Sequence, residues 1–153
     1  MRRKNYNLIG ICFLAALAAG VRVDIRTYVT EQLMKSGFDF SPAELPLIAT
    51  GGAYSVSRAL LLAEAGGEIE HSSPHLKRSS LNQLKNKLAP LPLEERLNIP
   101  RLPAARADIM PTALIIIDAL LEVSNRSRIT HSFYNLRYGV AANLLKQQTK
   151  WRL

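Results

Sequence analysis

The chain has 153 residues, 48% of them hydrophobic and 21% charged, and a net charge of +8. That is the length and balance of one globular domain, and it excludes a disordered tail or a largely membrane-embedded protein. The single cysteine, Cys12, excludes an intramolecular disulfide framework and a cysteine-rich zinc site.

The first twenty residues stand apart. Met1-Arg2-Arg3-Lys4 is basic, Leu8 to Ala19 is apolar with one glycine, and Ala16-Leu17-Ala18 offers a small-residue cleavage site. The run is too short to span a bilayer comfortably. It fits either a secretory signal peptide, removed from an exported protein, or a buried helix opening a cytoplasmic one. Segment 1–20 is therefore separated from a domain over 21–153.

Within the domain, Val21, Ile25, Val29 and Leu33 at four-residue spacing predict a helix over Arg22–Lys35, ended by Gly37. Ser41-Pro42-Ala43-Glu44 has the cap pattern of a short helical turn. Leu45 to Ala49 reads as a buried strand that stops at Thr50-Gly51-Gly52. A helix over Ala53–Ala65 follows and closes at Gly66-Gly67. From Glu68 to Pro103, prolines, serines and basic residues break the chain into short helices, Ser80–Leu88 with Ser80 as cap and Leu93–Leu97. His71 and His75 flank Ser72-Ser73-Pro74, a loop, so they read as surface histidines rather than metal ligands, and Lys77 and Arg78 fall in the same loop. Ile109–Val123 is apolar nearly all round and predicts a central buried helix, in which Asp118 is notable and reads most simply as a helix-face acid with an arginine partner. Arg128–Phe133 alternates like a strand, and Leu136–Gln148 forms a closing helix. The whole is a helix-rich α/β domain.

The charge is concentrated. Between His71 and Leu93 lie Lys77, Arg78, Lys85 and Lys87 with no acid. After Glu122 lie Arg126, Arg128, Arg137, Lys146, Lys150 and Arg152, again with none. Two acid-free basic blocks suit a phosphate-rich anion, with nucleic acid possible but not favoured. The contacts expected to a polyanion are Lys77, Arg78, Lys85, Lys87 and Lys146, with Arg137.

The order strand, Thr50-Gly51-Gly52, helix is a phosphate or nucleotide cradle in principle. The glycines let the backbone approach a ligand, and the helix start offers unpaired amides and a positive dipole. No nucleotide-binding glycine motif and no serine-nucleophile elbow occurs, and Glu64, Asp108, Asp118 and Glu122 form no metal-holding pair.

Four stretches together resemble a known family. They are Ile48-Ala49-Thr50-Gly51-Gly52-Ala53, Leu91-Pro92-Leu93-Glu94-Glu95-Arg96, Ala105 to Ala113 and Leu136-Arg137-Tyr138-Gly139-Val140. In order and spacing, over roughly Arg26 to Leu145, they are similar to the second half of the exopolyphosphatase/guanosine pentaphosphate phosphatase (Ppx/GppA) domain. The resemblance implies an actin-like, ribonuclease-H-like fold, of which this chain would be part of the second lobe. It also implies hydrolysis of the terminal phosphoanhydride of polyphosphate or guanosine pentaphosphate, with Mg²⁺, in a cytoplasmic enzyme. By the same resemblance Thr50, Gly51 and Gly52 lie near phosphate, and Arg106, Asp108, Arg137 and Gly139 are family-motif positions.

The departures are as informative. The family's first lobe, which carries its phosphate loop and catalytic carboxylate, has no counterpart in the sequence. Ala53 stands where the family's Gly-Gly-Thr turn brings a hydroxyl. No catalytic residue carries over, so the expectation is a truncated phosphatase domain of doubtful independent activity, completed by a missing first lobe or by self-association. The competing expectations are a non-catalytic polyanion-binding module and a small exported helical protein. None requires stable membrane insertion.

Overall fold

Helix α1 (Ile25–Lys35) starts where Asp24 accepts hydrogen bonds from the Arg26 amide, at 3.2 Å, and from the Thr27 hydroxyl. An N-cap carboxylate of this kind satisfies amides that the helix itself leaves unpaired. Val29 and Leu33 are buried, as their spacing predicts, and Gly37 leaves the helix with φ of 65°. The computed structural model describes residues 24–40, 46–69 and 72–149. The N-terminal segment 1–20 and the turn expected at Ser41–Glu44 lie outside them.

The remaining elements are β1 (Ile48–Ala49), α2 (Gly52–Ala65), β2 (His75–Lys77), α3 (Arg78–Leu88), α4 (Leu93–Leu97), a 3₁₀ turn (Ala104–Arg106), α5 (Met110–Val123), β3 (Arg128–His131) and α6 (Leu136–Thr149). The three strands form one sheet in the order β1-β3-β2. Strand β1 runs parallel to β3, with Ala49 opposite His131. Strand β2 runs antiparallel, with Leu76 opposite Ile129.

Besides the shorter β1 and the start of α1 at Ile25, three boundaries differ from the sequence expectation. The segment holding Lys77 is a strand rather than a loop, because Leu76 is buried against β3 between two exposed neighbours. A three-residue strand is too short to display a readable alternation. Helix α3 begins at Arg78, not after a Ser80 cap, and the Arg78 amide donates to the Ser127 carbonyl at 2.8 Å. Strand β3 ends at His131. The Ser132 amide still donates to Ala49, at 2.9 Å, but the Tyr134 amide bonds the Ser132 hydroxyl and the chain turns away, leaving Phe133 outside the strand.

Helix α5 is the centre of the molecule, as its all-round hydrophobicity predicts. Met110, Leu114, Ile117 and Leu121 are buried in one core with Leu81, Leu84 and Leu88 of α3, Val56 and Leu60 of α2, and Ile129 of β3. Ala119 lies in a second, smaller cluster with Val29 and Leu33 of α1. Helix α6 is different. Its side chains from Leu136 to Lys146 are exposed, Leu136 by 81% and Leu144 by 55%.

Candidate anion-binding site

The Thr50-Gly51-Gly52 turn joins β1 to α2. Gly51 has φ of 118° and ψ of 170°, a conformation essentially restricted to glycine. It sits at the N-cap of α2 without giving the helix a side-chain hydrogen bond. The Ser55 amide is the first to return to it, at 3.2 Å from the Gly51 carbonyl. The amides of Gly52, Ala53 and Tyr54 thus precede the helical ladder, at the positive end of a helix of 14 residues.

Arg106 arrives at this turn from the 3₁₀ segment before α5. A Cβ built on Gly52 would stand 3.1 Å from Arg106 Nη2 and 3.3 Å from Cζ, so the guanidinium lies directly against the glycine. A side chain at position 52 would occupy that place. Ala107, fully buried, fixes the arginine's backbone in the core. Two residues singled out separately in the sequence are therefore one structural unit.

Beneath the turn lie residues that sequence reasoning did not select. The Ser55 hydroxyl is 3.1 Å from His131 Nε2 and 3.3 Å from the Gly51 carbonyl. His131 is only 3% exposed, and its Nδ1 has no partner. Burial, and then the Arg58 charge, push its imidazole below the ordinary histidine value, so the ring is neutral at neutral pH. Arg58 is itself 4% exposed. It donates to the Ser72 hydroxyl at 2.6 Å and to the Ser72 carbonyl, and lies 5.2 Å from the centre of the Phe133 ring. The one available signal was the alternation Ile129, His131, which puts the histidine on the buried face of its strand.

The other expected residues are placed elsewhere. Thr50 is exposed beside the turn, and Asp108 is exposed just before α5. Arg137 and Gly139 are on the exposed α6, where the Asn135 side chain accepts from the Arg137 amide at 3.0 Å. Lys77 is exposed on β2 and Lys146 on α6, while Lys87 lines an apolar cavity of about 210 Å³ with Leu60, Leu84 and Ile99.

Arg78 and Lys85, expected as polyanion contacts, are engaged within the protein. Both are bonded to Asp118, Arg78 at 2.7 Å and Lys85 at 2.9 Å, and Arg26 joins them at 2.6 Å. Arg26 and Arg78 also reach Glu122. The arginine partner expected for Asp118 is thus three cations from two helices. Burial alone would raise the Asp118 carboxyl, but hydrogen bonds from Lys85, Arg78, Arg26 and Asn82 prevail and hold it far below the usual carboxylate range.

Asp118 and Glu122 already answer cationic side chains, and among the described residues no group of three His, Cys, Asp or Glu could hold a metal ion. His75 pairs instead with the Thr130 hydroxyl, at 3.1 Å from Nδ1. His71 lies outside the described residues. The carboxylates among the described residues do not fit Mg²⁺. Among the described residues no helix is long and apolar enough to cross a membrane.

No protein-family model matches the sequence, and no curated protein matches it significantly. Solved structures do. A Ppx/GppA family member from Aquifex aeolicus superposes with a TM-score of 0.67 at 19% identity, covering 80% of this chain and 40% of its own. An exopolyphosphatase from Cytophaga hutchinsonii gives 0.64 at 22% identity, covering 83% of this chain and 43% of its own. The chain therefore has the fold of part of a Ppx/GppA structure, as the four motifs imply, and spans about 40% of the length of the structures it matches.

Proposed function

We propose that this chain is part of a Ppx/GppA-type phosphatase domain and that it binds phosphoanhydride chains at the N-terminus of α2. Polyphosphate and guanosine pentaphosphate are the two substrates of that class. The observation carrying the reading is the Gly51-Gly52 turn with the Arg106 guanidinium laid against it, on a fold shared with an exopolyphosphatase. Unpaired amides at a helix start and a planar guanidinium are the donors a phosphate group requires.

Hydrolysis is a separate matter. Moving a phosphoryl group needs a positioned water, a base for it, and charge neutralisation on both sides of the transferring group. The described residues supply donors on one side, and their carboxylates fit no Mg²⁺ site. Binding without turnover is the reading that follows for the chain alone.

The test is a titration with polyphosphate beside an assay of phosphate release. Affinity should fall steeply with added salt, as it does for any linear polyanion held by cations and backbone donors. Released phosphate should stay at the level of a mock-purified control, with or without Mg²⁺. Turnover above that control would overturn the non-catalytic half of the proposal. Absence of binding at low salt would overturn the whole.

A further inference from the structure

We propose that Ser55 is a direct ligand of the bound phosphate chain and that His131, behind it, is the positioning residue that turns the Ser55 hydroxyl toward the anion. The proposal rests on reading the N-terminus of α2 as the anion site and adds the residues that shape it.

Ser55 closes the first turn of α2, and a helical side chain leans back toward the N-terminus of its own helix. Its Oγ accordingly donates to the Gly51 carbonyl at 3.3 Å, beside the unpaired amides of the same turn. Ala53 has no hydroxyl to offer there, whereas Ser55 brings a short aliphatic hydroxyl to the first turn of α2.

A serine has one proton to donate, and His131 decides where it goes. Two tautomers of the neutral ring satisfy the 3.1 Å contact between Nε2 and Oγ. With the proton on Nδ1, the Ser55 hydroxyl must donate to Nε2, and a buried N–H is left without an acceptor, because Nδ1 has no partner. With the proton on Nε2, the ring donates to Oγ and Nδ1 is left as a bare lone pair. An orphaned buried N–H is the rarer and costlier of the two. The second arrangement is therefore favoured, and it leaves the Ser55 proton on the long 3.3 Å bond to the Gly51 carbonyl, from which an arriving anion can take it. Burial and the Arg58 charge keep the ring in this neutral form.

Inorganic tripolyphosphate is the probe, titrated calorimetrically at low salt into the full chain. Ser55→Ala is expected to weaken binding about tenfold, the worth of one hydrogen bond to a charged group. Ser55→Thr should retain most of the affinity. His131→Leu removes the ring donor and should weaken binding to a similar degree. His131→Gln can place an amide N–H near the position of Nε2 and should restore it. Adding His131→Leu to Ser55→Ala should cost little more, since the histidine acts through the serine. Thermal unfolding of each variant separates lost affinity from lost fold. Should Ser55→Ala bind as tightly as the wild type while Gly52→Val does not, Ser55 is no ligand and the anion site stands without it. Equal losses in His131→Gln and His131→Leu would overturn the positioning role. If the wild type fails to bind tripolyphosphate, both the site and this elaboration fall.

Discussion

Asp118→Ala is expected to destabilise the protein by about 3 kcal/mol, the scale found when one partner of a buried ion network is removed. The carboxylate is 4% exposed, and it faces Lys85, Arg78 and Arg26, whose side chains are 18%, 31% and 39% exposed. Without it, Lys85 is the cation left most poorly solvated. Glu122 cannot take over, since it is 52% exposed and its pairing with the two arginines is screened by solvent. The network also clamps α1 and α3 onto α5, so its loss should loosen both. A charge reversal at Arg78 would be still worse placed than the deletion, because it sets a second carboxylate against Asp118. Chemical denaturation of Asp118→Ala and the wild type measures the difference. A midpoint within experimental error of the wild type would show that the three cations solvate independently and that the network contributes nothing.

The same group fixes a pH dependence. Its carboxyl is depressed in the folded protein, so its stabilisation is fully present above the unfolded carboxylate value of about 3.9 and is lost as pH falls below that toward the folded value. Wild type should therefore lose stability steeply below about pH 4, whereas Asp118→Asn should show a flatter acid limb. Parallel limbs for the two proteins would place the acid sensitivity in other carboxylates.

What the sequence could reveal follows from the length of each signal. Fourteen residues of α5 repeat their apolar content over several turns, and the glycines at positions 51, 52, 66 and 67 punctuate both ends of α2, so these elements were legible. β2 has three residues and a single buried side chain, Leu76, and no periodicity exists to be read from one point. The site divides the same way. Gly51 and Gly52 announce themselves by composition, since few other residues let a backbone turn and approach a ligand so closely. Arg106 was carried by a motif, but its contact with Gly52 is a product of the fold, across 54 positions of sequence. Ser55 and His131 are ordinary residues until β3 is laid beside α2. Arg78 and Lys85 show the converse case. A run of unpaired basic residues looked like a free electrostatic surface, yet two of them face an acid far along the chain.

The paired glycines are expected to fail in different ways, and the contrast tests the site most directly. Gly52 lies at the first position of α2 with a backbone that any residue can adopt, and valine there costs the helix no more than about 1 kcal/mol relative to other residues. Its side chain would start 3.1 Å from the Arg106 guanidinium, which is exposed and able to swing away. Gly52→Val should therefore leave the fold intact while screening the first-turn amides and displacing the arginine. Losing two charge-assisted contacts weakens polyphosphate binding about a hundredfold. At Gly51 a Cβ meets nothing within 4 Å, but φ of 118° is strained for any L side chain. Gly51→Ala should consequently cost about 1–3 kcal/mol of stability through the backbone, without any direct clash in the site. Unfolding midpoints and polyphosphate affinities, measured on both variants, separate the two effects. If Gly52→Val binds polyphosphate as the wild type does, no phosphate approaches this turn, and Arg106 lies against it for packing alone.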